Sequence, residues 1–143
     1  MDDIDKNIVA LLSQDARMSI AVLARRLKIA RSTVQVRLEK LETSGAIAGY
    51  TLRLGDQARG SRITATALLV IEPRSQPAIL IRLRQMPQVE RIHTTSGRID
   101  MLVQLVTTST AELDTTLERI GEIEGVRSSE SLIHLATKLD RAL

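Results

Sequence analysis

The 143-residue chain has no cysteine, no phenylalanine and no tryptophan, and Tyr50 is its single aromatic residue. The missing cysteines exclude disulfides and thiolate metal sites and permit a reducing compartment. The missing aromatics require an aliphatic core of Leu, Ile, Val, Met and Ala, and an apolar fraction of 43% is enough to build one. No apolar run approaches the length of a membrane span, and the opening "MDDIDKN" is acidic and polar, unlike a secretory leader. The expectation is a soluble cytoplasmic protein, with one ordinary domain or two small ones. Catalytic signatures are absent as well. The two histidines, His93 and His134, both fall on expected strands. No Ser/His/Asp spacing, paired-carboxylate pattern or Gly-rich phosphate loop accompanies them. Neither an enzyme nor a cofactor or metal site is expected.

What is present is an uneven distribution of charge. Residues 1–55 hold nine bases and six acids, whereas the rest of the chain holds eleven of each. Between Arg17 and Lys40 seven bases face one acid, Glu39, a local stripe suited to a polyanion. The same region has helical periodicity. Ile4, Ile8, Leu11 and Leu12 follow Asp2 and Asp3, which suit an N-cap and first turn, and predict a helix over residues 3–13. Ser19 caps a second helix carrying Leu23 and Leu27. After the break "KIA", the stretch "RSTVQVRLEKLETS" predicts a third helix, stopped by Gly45 and striped by Val34, Leu38 and Leu41. Two helices so joined, the second polar and basic on its outer side, make a helix-turn-helix, and "AIAGYTLRL" (46–54) reads as a short wing or strand pair.

"GDQARGSR" (55–62) reads as a linker. Beyond it the pattern predicts strand 63–72, helix 75–86, strands 89–95 and 101–107, helix 109–122 and strand 126–136. Ser109 and Glu112 have the spacing of a capping box at the second helix. "MPQVERI" and "IEGVRSS" each lead out of a helix into a strand, giving strand–helix–strand twice. The fold class is α+β: a winged helix-turn-helix domain (1–54), a linker (55–62) and a ferredoxin-like βαββαβ domain (63–143). "ATALLVI" and "MLVQLV" are apolar on both sides of their strands, so the sheet face without helices is expected to be buried against another subunit, cover by the N-terminal domain being the alternative.

This order of elements resembles the Lrp/AsnC family, the leucine-responsive or feast/famine transcription regulators. The resemblance spans nearly the whole chain. It is carried by "DDIDKNIVALLSQDARMSIAVLARRLKIARSTVQVRLEKLETSGAIAGY", by "TTSGRIDMLVQL" and by "IEGV" before the last strand. It implies a regulator that binds double-stranded DNA as a homodimer or higher oligomer, tetramer or octamer, and whose C-terminal domain senses an amino acid. An architectural DNA-binding protein without an effector is the alternative. Carried over, recognition-helix contacts fall on Ser32, Thr33, Gln35 and Arg37, with Arg31 at the entry; the basic stripe itself puts Lys28 and Lys40 toward phosphates. The family's ligand loop bears the Gly and Asp that match Gly97 and Asp100, so an effector is expected near Thr95, Ser96, Gly97, Arg98, Asp100 and Met101, a plain hairpin turn being the other reading of that stretch. The sequence departs from the family pattern where Lys28 replaces a turn glycine, Ala30 a serine N-cap, Val36 a base and Ile99 an aromatic. Ala30 lacks the side-chain cap, a loss of about 1 kcal/mol, and Ser32 with Gln35 has the spacing to start the helix slightly later.

Overall fold

Reciprocal capping sets the first helix. Asp2 accepts the Asp5 N–H at 3.0 Å while the Asp5 carboxylate accepts the Asp2 N–H at 3.2 Å, at the start of α1 (Asp3–Gln14). Both carboxylates thereby lie at the positive end of the helix dipole. In this computed structural model, which describes residues 1–143, α2 (Ile20–Leu27) begins with Ser19 accepting the Val22 N–H at 3.2 Å. The third helix, α3 (Arg31–Thr43), follows after a tight turn. Ile8, Leu23 and Val34, one from each helix, are fully buried, with Leu12, Ala24 and Leu41 around them.

Lys28 ends α2 in the left-handed conformation, φ +56°, where an L-residue pays roughly 1–2 kcal/mol that glycine does not. Ala30 is the N-cap of α3 and makes no side-chain cap bond. The later start expected from Ser32 and Gln35 is not adopted. Ser32 lies inside the first turn, and the helix begins early enough for the Val34 N–H to bond Ala30 O at 3.2 Å while Val34 reaches the core. The expected wing or strand pair over 46–54 does not form either. Its backbone turns back on α3 instead: the Ile47 N–H donates to Leu41 O at 2.9 Å and the Tyr50 hydroxyl donates to Glu42 at 2.8 Å.

Met1–Arg53 with Arg141–Leu143 make one compact unit and Leu54–Asp140 a second. Residues 55–62 carry a single helical turn, α4 (Asp56–Arg59). The second unit then runs β1 (Ile63–Ile71), a 3-10 turn, α5 (Gln76–Arg84), β2 (Val89–Thr94), β3 (Met101–Thr107), α6 (Thr110–Gly121) and β4 (Val126–Ile133). The strands form one antiparallel sheet in the order β2-β3-β1-β4, the split βαβ arrangement. Its core joins Ala65, Ala67, Leu69, Ile71, Met101, Val103 and Leu105 to Ile79 and Leu83 of α5 and Leu113 and Ile120 of α6. At the cap of α6, Ser109 accepts the Glu112 N–H at 3.1 Å, and Glu112 reaches back to the Thr108 N–H and hydroxyl, both at 2.9 Å. Gly125 is required on two counts. Its φ is +96°, and a Cβ there would overlap the Ser75 side chain.

The register decides which residues face away from the helices. Thr64, Thr66, Leu68 and Val70 of β1 share that open face with Leu102, Gln104 and Val106 of β3, Leu68 lying directly opposite Leu102. It is less uniformly apolar than the sequence run suggests, because Thr64, Thr66 and Gln104 interrupt the aliphatic side chains. Leu68, Val70, Leu102 and Val106 are nonetheless only half-buried, and Leu132 of β4, paired with Thr66, is 50% exposed.

Candidate nucleic-acid interface and effector loop

Helical geometry sorts the residues of α3 by face. Val34 and Leu41 point into the core, with Leu38 beside them. Ser32, Gln35, Val36, Glu39 and Lys40 occupy the opposite, exposed side, with Arg31 at the N-terminal end and Lys28 exposed in the turn before it. Thr33 sits at the flank, half-buried. The arrangement offers hydroxyl, amide and cationic groups on one convex surface, the chemistry that reads base edges and phosphates. Val36 is the surprise, 65% exposed in the middle of that face. Its position off the apolar stripe was the sequence signal.

Arg37, where the resemblance puts a base contact, is half-buried and paired within the domain. Its guanidinium pairs with the Asp2 carboxylate and reaches Asp5 Oδ1 at 3.3 Å, clasping α3 to the capping box of α1. The hydrogen bond from Arg37, helped by the Asp5 backbone N–H, holds the Asp2 carboxyl down at about 2, below its ordinary 3.8. The same bonds to Asp2 and Asp5 raise the Arg37 pKa. Periodicity could not find this contact, because its partners lie 32 and 35 residues away.

The expected effector loop is the turn between β2 and β3. Thr95, Ser96, Gly97 and Arg98 are exposed, and Gly97 has φ +95° with open space around it. The Thr95 N–H donates to Asp100 O at 3.0 Å and the Thr95 hydroxyl to Ile99 O at 2.5 Å. Asp100 is half-buried and already engaged. Its N–H donates to Leu69 O at 2.9 Å and its Oδ2 accepts the Ile71 N–H at 2.9 Å, so it ties the loop to the end of β1. Met101 is fully buried in the sheet core, and its side chain does not join the other five residues. A separate cleft of about 640 Å³ lies at the other end of the sheet, lined by Arg59, Arg62, Glu90 and His134 among others. His134 is held there by Thr66, whose Oγ1 lies 2.8 Å from its Nε2, and His93 is exposed on β2.

Comparison with known proteins covers both units. Residues 1–42 match the AsnC-type helix-turn-helix domain and residues 64–143 the Lrp/AsnC ligand binding domain. The chain is 30% identical over 135 residues to the Pyrococcus furiosus transcriptional regulator FL11, covering 94% of this chain and 89% of that one. It is 29% identical over 134 residues to the regulator LrpA of Mycobacterium tuberculosis, covering 93% and 89%. Among solved structures, AsnC of E. coli superposes with a TM-score of 0.91 at 24% identity, covering 100% of this chain and 97% of that one. A transcriptional regulator of Neisseria meningitidis, solved as a complex with L-Met, superposes with a TM-score of 0.88 at 21% identity, covering 98% and 93%. The last two are likenesses of fold.

The Arg37 clasp makes acid stability testable. A carboxyl whose folded pKa lies below its unfolded value adds stability at higher pH and loses it as pH falls, here from about 4 toward 2. Asp2→Asn keeps an N-cap acceptor and removes the charge. The variant is expected to melt lower than the parent at pH 7, with the difference narrowing as pH falls from about 4 and vanishing only below about pH 2. Calorimetric melting at low salt across that range checks it; a constant offset would assign the loss to capping.

Proposed function

The chain belongs to the Lrp/AsnC family of transcriptional regulators, which are not enzymes, and from that premise we propose that it binds operator DNA as a dimer under the control of an amino acid. The observation that carries the DNA half is the outer face of α3, where Ser32 and Gln35 stand between the cations Lys28, Arg31 and Lys40. The N-terminal half of α3 enters the major groove, Ser32 and Gln35 meet base edges, and Lys28 and Lys40 meet phosphates. Arg37 takes the supporting role of fixing α3 against α1. Two such helices in one dimer read half-sites about one helical turn apart.

Each Lys–phosphate contact releases counterions. Removing one is expected to lower the slope of log affinity against log salt by about one, and to weaken all sequences alike. Titrations of Lys28→Ala and Lys40→Ala against several duplexes from 50 to 300 mM salt, on the order of the useful range, measure both. Salt-independent binding, or none to any duplex, overturns this half.

The dimer forms through the open sheet face. Half-buried Leu68, Val70, Leu102 and Val106 are too apolar for a face left in water, and a second copy covers them. Leu102→Glu puts a charge opposite Leu68, where burying it without a partner costs several kcal/mol, and is expected to raise the dimer dissociation constant at least about a hundredfold. Light scattering at micromolar concentration reads the change; a monomeric parent sinks the interface.

The effector is an amino acid or similar zwitterion held at Thr95–Asp100, completed by a neighbouring dimer. Loop N–H groups face its carboxylate. Asp100 Oδ1 takes its ammonium while Oδ2 keeps the Ile71 N–H. The L-Met complex of the Neisseria relative supports this ligand class. Asp100→Ala would strip β1 of a bond, so Asp100→Asn is the cleaner variant: it retains an acceptor for Ile71 and loses the charge. Calorimetry with the twenty amino acids is expected to find a ligand for the parent and a tenfold to hundredfold weaker one, roughly 1.5–3 kcal/mol, for the variant. Equal affinities would reduce the loop to a turn.

A further inference from the structure

Val36 is the only large apolar side chain of α1 to α3 that is exposed, at 65%. It packs against neither core cluster, so folding does not call for it. A β-branched residue on an exposed helix surface is also slightly unfavourable for the helix itself. Its exposed neighbours one turn away are Ser32, Glu39 and Lys40, with Gln35 beside it, all polar. An isopropyl group on a polar surface where three cations, Lys28, Arg31 and Lys40, outnumber the one acid, Glu39, fits a partner that is anionic at its rim and apolar at one defined point. Duplex DNA has that pattern. The apolar group displayed on the floor of the major groove is the C5 methyl of thymine.

We propose that Val36 is a specificity-determining residue that packs on one thymine methyl in each half-site, selecting T·A there over the other three pairs. This rests on the DNA-binding reading above and adds to it the chemical identity of one contacted base. Lys28 and Lys40 position the helix through phosphates without reading sequence, whereas Val36 reads sequence without carrying charge. The contact is lost when uracil replaces thymine, because only the methyl group differs.

The test begins with full-length protein and a random duplex pool, from which bound sequences are selected. Each thymine of the selected half-site is then replaced by deoxyuridine, and affinities are measured by fluorescence anisotropy at one fixed salt concentration. At one position the replacement is expected to weaken the parent about fourfold, and roughly fifteenfold when made in both half-sites, the scale of one buried methyl group each. Val36→Ala, whose thermal midpoint should match the parent because the site is exposed, is expected to bind the thymine and uracil duplexes equally. Selection repeated with Val36→Ala is expected to lose the thymine preference at that position alone. The proposal is overturned if the parent tolerates uracil everywhere, or if Val36→Ala keeps the full uracil penalty, and in either case DNA binding itself stands. If the parent binds no duplex, both readings fall together.

Discussion

Close approach of two helices to one face of the sheet is the constraint on which the second unit depends. With no Phe or Trp to span a deep core, α5 and α6 must sit near the strands, and the central strand allows it with Ala65 and Ala67. Larger Leu69, Ile71, Val103 and Leu105 then share one buried cluster with Ile79, Leu83, Leu113 and Ile120. Gly125 belongs to the same solution. Only a residue without Cβ lets the chain leave α6 beside Ser75 and enter β4. Once the helices are committed to one face, everything else on β1 and β3 is committed to the other. The open face and the β2–β3 turn are therefore consequences of how an aromatic-poor core is packed.

The first unit solves a different problem, which is to hold α3 firmly by one side and leave the other bare. Val34 and Leu41 supply the grip, and the Arg37 clasp to Asp2 and Asp5 adds an orienting contact at the flank. An exposed ion pair contributes little to stability, yet this one has two acceptors fixed by a capping box, so it selects a position more than it adds free energy. The clasp also disposes of a charge. With Arg37 paired, the cations left on the outer face of α3 and the turn before it are Lys28, Arg31 and Lys40, and the rest of that face is left to Ser32, Gln35, Val36 and Glu39.

Local chemistry made most of this legible in the sequence. Asp2, Ser19 and Ser109 cap the helices that their spacing predicts, Gly45 and Gly97 take the positive φ expected of turn glycines, and the strands begin within a residue of expectation. What stayed hidden depends on distant partners. Arg37 could be placed on α3 but not matched to Asp2, and Asp100 could be placed in a turn but not matched to Ile71 on another strand. Runs apolar on both sides marked β1 and β3 as strands without saying which residues faced which way. Pairing register settles that, putting Leu68 and Leu102 together on the open face and Met101 in the core. The segment 46–54 had strand-like composition, but two hydrogen bonds back to α3 decide its path.

Asp100 links the two halves of the proposed sensing unit more directly than its turn position suggests. Its N–H and its carboxylate bond two residues of β1, Leu69 and Ile71, and between them lies Val70, on the open face beside Leu68. A ligand ammonium on Asp100 Oδ1 pulls on the same carboxylate whose Oδ2 holds the Ile71 N–H, and any shift there passes along the backbone to side chains of the open face. Coupling of this kind requires only that the ligand prefer one of two arrangements of a short, stiff element, and the reciprocal effect follows from linkage: assembly changes ligand affinity by the same factor. The bond that makes Asp100 look like an ordinary turn residue is thus the feature that gives a charge at this position leverage on the sheet.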